Sequence, residues 1–368
     1  MSRKIPAKGS ALRSPIVAVD LFAGAGGMSL GASMAGVDVR LAVEIDPCAA
    51  STYRLNHPQT PVFQRDIRLL NVSDLPQKKR MKTILFGGPP CQGFSTSNQK
   101  TRSTNNESNW LFQEYLRVVQ AWMPDWVVFE NVTGLVQTAE GLFLDSVQSG
   151  LKALDYRLST WTLNASEFGV PQRRSRLFIV GSRAGFEIPA PVAISSSPVT
   201  VREAIGDLPR LHNGESATVL PYGKEPHSQY AEHMRRSSSV SLNNFVTRNA
   251  AHIVARYPHI PQGGNWESIP SRLMRNYKDR TRCHTGIYHR LRASEPSVVI
   301  GNYRKNMLIH PTQNRGLSVR EAARLQSFPD HYSFAGSIGF QQQQVGNAVP
   351  PLLAEVVFAA IHKTLDIS

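Results

Sequence analysis

Cysteine is scarce in this chain: three residues in 368. Cys48, Cys91 and Cys283 stand too far apart for a disulfide framework or for the paired spacing of a zinc site, so no metal centre is expected. A reducing compartment suits such a chain and keeps a lone thiol intact. Long apolar runs are missing as well. None approaches the roughly 20 residues of a membrane span. Residues 1–15 are basic and polar without an apolar centre, which excludes a secretory signal and reads as a disordered tail. No internal repeat is present. Acid is short: 27 Asp and Glu face 41 Lys and Arg, a net charge of +14. That surplus favours a polyanionic partner, nucleic acid first, with a merely well-solvated surface as the alternative.

What is present begins with strand, glycine turn and helix. Ile16 to Phe22 is a strand signal, Ala23-Gly24-Ala25-Gly26-Gly27 follows at once, and Met28, Leu30 and Met34 mark a helix. This is the first unit of a Rossmann-like sheet, in which glycines admit a ligand to the backbone and the helix N-terminus faces it. The turn alone is compatible with a dinucleotide. A second strand, Val39 to Val43, ends in Glu44-Ile45-Asp46. An acid at that place commonly accepts from ribose hydroxyls, a role that suits Glu44, while Asp46 caps the helix starting near Pro47. Asp66 follows a strand-like piece at Pro61-Val62-Phe63. It reads equally as an acceptor for an adenine amino group or as a plain loop acid.

Thr83 to Phe86 is a short buried strand, and Gly87-Gly88-Pro89-Pro90-Cys91-Gln92-Gly93-Phe94-Ser95 leaves it. Glycine and proline break regular structure and hold the thiol of Cys91 at the strand's mouth. That placement suits a nucleophile, although a packed, inert cysteine is the commoner fate of the residue type. The polar run from Ser95 to Ser108 reads as a mobile loop that can close over a substrate. A helix from about Asn109 to Trp122 and a buried strand at Trp126–Phe129 then deliver Glu130-Asn131-Val132. Strands ending near Cys91 and at Glu130 fit one parallel sheet, whose ligands bind at the strands' carboxyl ends. A helix near 140–153 and a strand near Tyr156–Leu163 lead to Pro171-Gln172-Arg173-Arg174-Ser175-Arg176 and a last strand, Leu177–Gly181. Strand alternation points Arg174 and Arg176 the same way.

From about Phe186 the character changes to a linker rich in Pro and Ser. Residues 191–300 hold many turn residues and few periodic runs. The window 271–305 carries nine basic residues (Arg272, Arg275, Lys278, Arg280, Arg282, Arg290, Arg292, Arg304, Lys305) against Asp279 and Glu295. Trp266, Asn276, Tyr277, Tyr288 and Tyr303 lie in or beside it. A basic, loop-rich stretch with aromatics suits nucleic-acid contact. Ser318 and Glu321 form a capping box for a helix that Phe328-Pro329-Asp330 stops. Gln344 to Pro351 leads into a terminal helix, about 351–364, apolar enough to pack back on the first domain.

Together these segments resemble the DNA (cytosine-5) methyltransferases of bacterial restriction-modification type over nearly the whole chain. The resemblance rests on Asp20-Leu21-Phe22-Ala23-Gly24-Ala25-Gly26-Gly27, Gly88-Pro89-Pro90-Cys91-Gln92-Gly93-Phe94-Ser95, Glu130-Asn131-Val132, Gln172-Arg173-Arg174-Ser175-Arg176, Arg320 to Gln326 and Gly346-Asn347-Ala348-Val349-Pro350, in that order. It implies an α/β fold: a Rossmann-like, mostly parallel sheet with helices on both faces, over residues 16–190. A smaller, loop-rich target recognition domain at 191–339 and a C-terminal segment, 340–368, returning to the first domain complete it. It implies S-adenosylmethionine as methyl donor, with Phe22 against the adenine, Glu44 on the ribose, and Asp66 and Ile67 at the adenine. Gly24, Gly26 and Ile45 belong to the same cofactor site, as do Pro90, Leu111, Asn347 and Val349. Gln92 and Ser95 are implied to touch DNA.

The implied chemistry explains the residue types. Thiolate addition at cytosine C6 makes C5 nucleophilic, and Cys91 supplies the thiolate. Glu130, protonated, bonds N3 and the exocyclic amine; Arg176 holds O2; Arg174 orients its neighbours. The base must first leave the duplex. Double-stranded DNA is the expected partner and a monomer the expected state, in the bacterial cytosol or nucleoid and without a membrane. A cognate restriction endonuclease would act without a stable complex. A cytosine-5 methyltransferase for RNA and a non-catalytic DNA-binding relative are the rival readings. One departure stands out: Asn106-Glu107-Ser108-Asn109-Trp110-Leu111 carries Ser108 where the family's pattern has arginine, which touches the closing loop rather than the chemistry.

Overall fold

The computed structural model describes residues 16–78, 81–90, 111–134, 142–194, 197–236, 238–275, 277, 286–301, 303 and 307–365. Short runs of branched and aromatic residues build its main sheet: β1 (Ile16–Leu21), β2 (Val37–Val43), β3 (Val62–Phe63), β4 (Thr83–Gly87), β5 (Trp126–Val132), β6 (Arg157–Asn164) and β7 (Ser175–Ser182). The strand order is β3-β2-β1-β4-β5-β7-β6. The first five run parallel; β7 is antiparallel to both β5 and β6. The expected α/β sheet, mostly parallel and covered on both faces, is therefore present.

Alternation sorts the buried side chains. Ile84, Phe86, Trp126, Val128, Phe178 and Val180 face one side, where α1 (Gly27–Met34) and α10 (Pro351–Thr364) cover them. Leu85, Val127, Phe129, Leu177 and Ile179 face the other, under α3 (Leu111–Trp122) and α4 (Leu142–Lys152). A sheet buried on both faces needs apolar residues at successive positions, which is why its central strands read as nearly continuous apolar runs, while the edge strand β6 alternates. Each fully buried Val, Leu, Ile or Phe contributes about 1.5–3 kcal/mol, so these two layers dominate the driving force. α2 (Pro47–Asn56) begins as expected: Asp46 accepts from the Ala49 N–H at 2.7 Å, and proline sits at the first helical position.

Beyond residue 190 the elements are short: α5 (Val201–Ile205), an antiparallel pair β8 (Ser216–Pro221) and β9 (Val240–Phe245), α6 (Gln229–Arg235), α7 (Ala251–Val254), α8 (Val319–Leu325) and α9 (Ile338–Asn347). A third apolar cluster joins Ala204, Met234, Leu291, Val319, Phe328 and Val345; a fourth holds Tyr257, Ile260, Ile269, Met274, Tyr288 and Ile309. Buried ions supplement these small cores. Arg324 bridges Asp207 at 2.9 Å and Asp330 at 2.6 Å, Arg235 reaches Asp207 at 2.7 Å, and Arg315 meets Glu321 at 2.6 Å. Glu321 also closes the capping box with Ser318 at the head of α8. Burial alone would raise the Glu321 carboxyl, yet Arg315 holds it down at about 2.

Three expectations change here. α9 is a full helix where only a lead-in to α10 was read. Its Gln341, Gln342 and Gln344 are buried and bonded to Asn243, Thr247 and Thr52, so amides fill positions that normally carry an apolar stripe. Within the basic window, Arg290 is a buried staple donating to the carbonyls of Ile260, Tyr257, His310 and Gln313, and Tyr288 and Tyr303 are core residues. These three are thereby withdrawn from nucleic-acid contact, while Arg272, Arg275 and Arg292 stay exposed. Lastly, residues 338–364 contain an 18-residue window of mean hydropathy 1.4, long and apolar enough to span a bilayer by composition. The chain leaves helical geometry between α9 and α10, and 61% of that window is buried inside the protein. Its apolarity serves the core against α1.

Candidate active site

The chain leaves β1 toward β2 on one side and later places β4 on the other, so the sheet order reverses between β1 and β4. Ligands of such sheets bind at the carboxyl ends flanking that reversal. The two strand ends there carry the glycine turn and the Gly-Gly-Pro-Pro stretch. Because β7 is antiparallel, its start lies at the same edge: Arg176 is in register with Val132, two residues past Glu130.

On the turn, Phe22 takes a positive φ of 60°, uncommon for a bulky side chain, and Gly24 and Gly26 follow at 56° and 86°. Such strain persists where surrounding contacts over-determine the backbone. Here they do. Glu44 accepts from the Gly24 N–H at 2.7 Å with one oxygen and from the Asp46 N–H at 2.7 Å with the other. Burial raises the Glu44 carboxyl above its ordinary range against those two donors. A Cβ on Gly24 would meet no atom within 4 Å, whereas one on Gly26 would strike Tyr332 and His57, and one on Gly27 would lie 2.5 Å from the Val349 carbonyl. One side of the turn is open and the other is packed. An open cradle lined by strained backbone and a part-buried acid fits an adenosine-type ligand.

The remaining cofactor candidates fall around this turn unevenly. Val349 is buried with the core beneath α1, and Asn347 is exposed beside it. Ile45 is 63% exposed and Pro90 is exposed. Ile67 is buried and Leu111 half-buried in the α3 layer. Asp66 caps a short 3₁₀ turn, and Arg68 engages both its oxygens at 2.7–3.1 Å, which holds the carboxyl below its ordinary range. An adenine amino group would share that acid with Arg68.

On the other side of the reversal, Glu130 and Arg176 form an ion pair at 2.8 Å, with 8% and 9% exposure. Burial raises the Glu130 carboxyl above its ordinary range; Arg176 and, less closely, Arg174 pull the other way without reversing it. A Cβ on Gly88 would lie 2.5 Å from the second Glu130 oxygen, and Asn131 donates to the Pro89 carbonyl at 3.1 Å. The strand end leading to Cys91 thus abuts the acid. Cys91, Gln92 and Ser95 themselves lie outside the described residues. Arg174 sits deeper, at 1% exposure, donating to the carbonyls of Gly346 and Ala348 at 3.0 and 3.1 Å and of Ile300 at 3.4 Å. It grips the turn that presents Asn347.

Sequence reasoning missed the side chains that fasten these pieces. Gln172 bonds Leu325, Gln326 and Ile300, and Gln326 bonds the Val345 carbonyl. Both residues stood in quoted motifs, but a polar side chain facing inward leaves no periodic signal. His57 and Tyr332 were in no motif.

A family model for C-5 cytosine-specific DNA methylase matches residues 16–363. The chain is 37% identical over 349 residues to the Type II methyltransferase M1.HphI of Haemophilus parahaemolyticus, covering 94% of this chain and 86% of that protein. It is 33% identical to the Type II methyltransferase M.DdeI of Desulfomicrobium norvegicum, covering 92% and 86%. A crystal structure described as a DNA modification methyltransferase encoded within a prophage (E. coli) superposes with a TM-score of 0.77 at 26% identity, covering 95% of this chain and 99% of that one. With the reversal point, the glycine turn and the buried acid–arginine pair in the places described, the chain belongs to the C-5 cytosine-specific DNA methylases and is a DNA (cytosine-5-)-methyltransferase.

Proposed function

We propose that this chain methylates C5 of a cytosine turned out of duplex DNA, with S-adenosylmethionine in the cradle at Gly24 and Glu44 and with Cys91 as nucleophile. The observation that carries the reading is the Glu130–Arg176 pair packed against Gly88, at the strand end that leads to Cys91. S-adenosylmethionine, when bound, supplies an electrophilic methyl on a sulfonium for C5.

The protein's own groups do the rest. The Cys91 thiolate adds to C6 and breaks the ring's aromaticity, so that electron density builds at C5 and N3. Glu130, its carboxyl raised by burial, donates to N3 and accepts from the exocyclic amine, meeting that charge. Arg176 donates to O2 while keeping Glu130 aimed. Arg174 acts one layer back, holding the Gly346–Ala348 turn. Glu44 accepts from ribose hydroxyls, and Phe22, Ile45, Asp66 and Ile67 border the adenine. A water then takes the C5 proton and the thiolate departs. Residues 191–339 contain the exposed Arg272, Arg275 and Arg292, suited to phosphate contact, with Gln92 and Ser95 stabilising the opened base pair. We assign the work to a monomer in the bacterial cytosol or nucleoid, with any cognate endonuclease acting separately.

Transfer of tritium from labelled S-adenosylmethionine into duplex DNA and into tRNA tests this directly. The duplex should take up label, and Cys91→Ser should abolish uptake while DNA binding persists. Label appearing only in tRNA, or transfer surviving in Cys91→Ser, would sink the proposal.

A further inference from the structure

Two side chains close in sequence to nothing at the site meet beneath the glycine turn. Tyr332, from the segment after α8, donates its hydroxyl proton to the Ala25 carbonyl. His57, at the C-terminus of α2, lies 3.1 Å from the same hydroxyl through Nε2. A phenol has one proton, and Ala25 receives it, so Nε2 must be the donor in this second bond. His57 therefore carries a proton on Nε2, and burial, opposed by a hydrogen bond to the Gly26 backbone, lowers its pKa to about 4, which favours the neutral ring.

The pair is itself held. Tyr332 is 1% exposed, with Phe328 and Phe334 against its ring at centroid distances of 4.9 and 5.6 Å. The His57 ring packs on Tyr53 at 4.5 Å. Both polar atoms press on the turn: a Cβ on Gly26 would lie 2.7 Å from the Tyr332 oxygen and 2.8 Å from His57 Nε2. The turn is thus pinned on two sides, by Glu44 through the Gly24 N–H and by Tyr332 through the Ala25 carbonyl.

We propose that Tyr332, oriented by His57, is a positioning residue for the cofactor turn, setting the direction of the Gly24–Gly26 peptides toward S-adenosylmethionine. The inference rests on the cofactor reading above. Neither side chain touches the ligand; each acts through the backbone that does. Loss of the hydroxyl leaves the Ala25 carbonyl buried without its donor, and the turn relaxes into conformations that bind less well. The aromatic ring, which belongs to the core, stays.

The test compares wild type with Tyr332→Phe, His57→Leu and His57→Gln. Calorimetry with S-adenosylmethionine is the first readout, and steady-state methylation of duplex DNA the second. Tyr332→Phe should weaken cofactor binding and raise its KM by roughly tenfold, as expected for one buried hydrogen bond. Its kcat at saturating cofactor and its DNA affinity should stay within about twofold, which a general loss of structure would not permit. His57→Leu should follow Tyr332→Phe, and His57→Gln, with an amide donor near the Nε2 position, should recover most of the affinity. Should Tyr332→Phe melt early, the His57→Leu and His57→Gln pair carries the same discrimination. Wild-type affinity retained in Tyr332→Phe, or in His57→Leu, overturns the assignment while leaving the cofactor reading intact. Absence of binding by wild type overturns both.

Discussion

A carboxyl group at 8% exposure, paired with one guanidinium and near a second, is pulled two ways. Desolvation favours its neutral form, and the arginine its anion. For Glu130 burial prevails, so the proton stays to a higher pH than on an ordinary glutamate. The chemistry proposed here needs Glu130 protonated and Cys91 ionised at once. The fraction of enzyme meeting both conditions rises and then falls with pH, whichever group titrates first, so the single-turnover rate should be bell-shaped. Glu130→Gln leaves only the thiol to titrate. Its rate should drop by about 10²–10⁴-fold, the usual worth of a placed general acid, and should climb to an alkaline plateau. A bell persisting in Glu130→Gln would assign the alkaline fall to another group. The apolar run Trp126–Phe129 made the strand that carries Glu130 legible in the sequence, and the structure has Glu130 buried within that strand; the expectation for Cys91 lies outside the described residues. Tyr332 and His57 were not legible: 275 positions separate them, and each alone looks like a core residue.

At the scale of elements, strands were the easier reading. Short stretches rich in apolar residues mark most of them whatever their direction, so β7 was found from sequence while its reversal was not. Direction depends on which neighbour it pairs with, a long-range fact that places Arg176 at the site edge. Helices with apolar stripes, α3 and α10 among them, were legible too, whereas α9, with its inward glutamines, was not. The close contact of α1 with α10 yields a sharper test. A Cβ on Gly31 would come 2.5 Å from the Pro351 carbonyl oxygen and 2.6 Å from the Glu355 nitrogen. Those are backbone atoms of a buried helix and cannot swing aside. Alanine in place of a helical glycine gains up to about 1 kcal/mol of propensity, but overpacking a filled interface costs about 1–3 kcal/mol and more where backbone must move. Gly31→Ala should therefore lower the urea-unfolding free energy. Gly150→Ala is the control, since its Cβ would meet only the tip of Leu116 and the propensity gain should survive. Equal responses in the two variants would show that the α1–α10 contact yields more readily than its geometry implies.

For the molecule as a whole, the question is where the charge of +14 resides. Part of the arginine content is spent internally. Arg235, Arg315, Arg320 and Arg324 are buried among Asp207, Glu321 and Asp330, four positive charges against three negative, and contribute only +1 net. Their removal would expose unpaired buried acids, so their worth lies in holding the short elements beyond residue 190 to one another. The surplus lies outside this network, in part as the exposed Arg272, Arg275 and Arg292. A surface of that sign binds duplex DNA chiefly by releasing counterions, with log K falling against log salt by about 0.9 per neutralised phosphate. With about six such contacts the slope should lie near −5. On the proposed cofactor reading, with S-adenosylmethionine in a small cradle beside the Glu44 acid, its affinity should change little over the same titration. Fluorescence anisotropy with a labelled duplex from about 50 to 200 mM salt measures the first quantity, and calorimetry at matched salt the second. A slope shallower than about −2 would mean that few phosphates are neutralised and that the basic excess faces away from DNA.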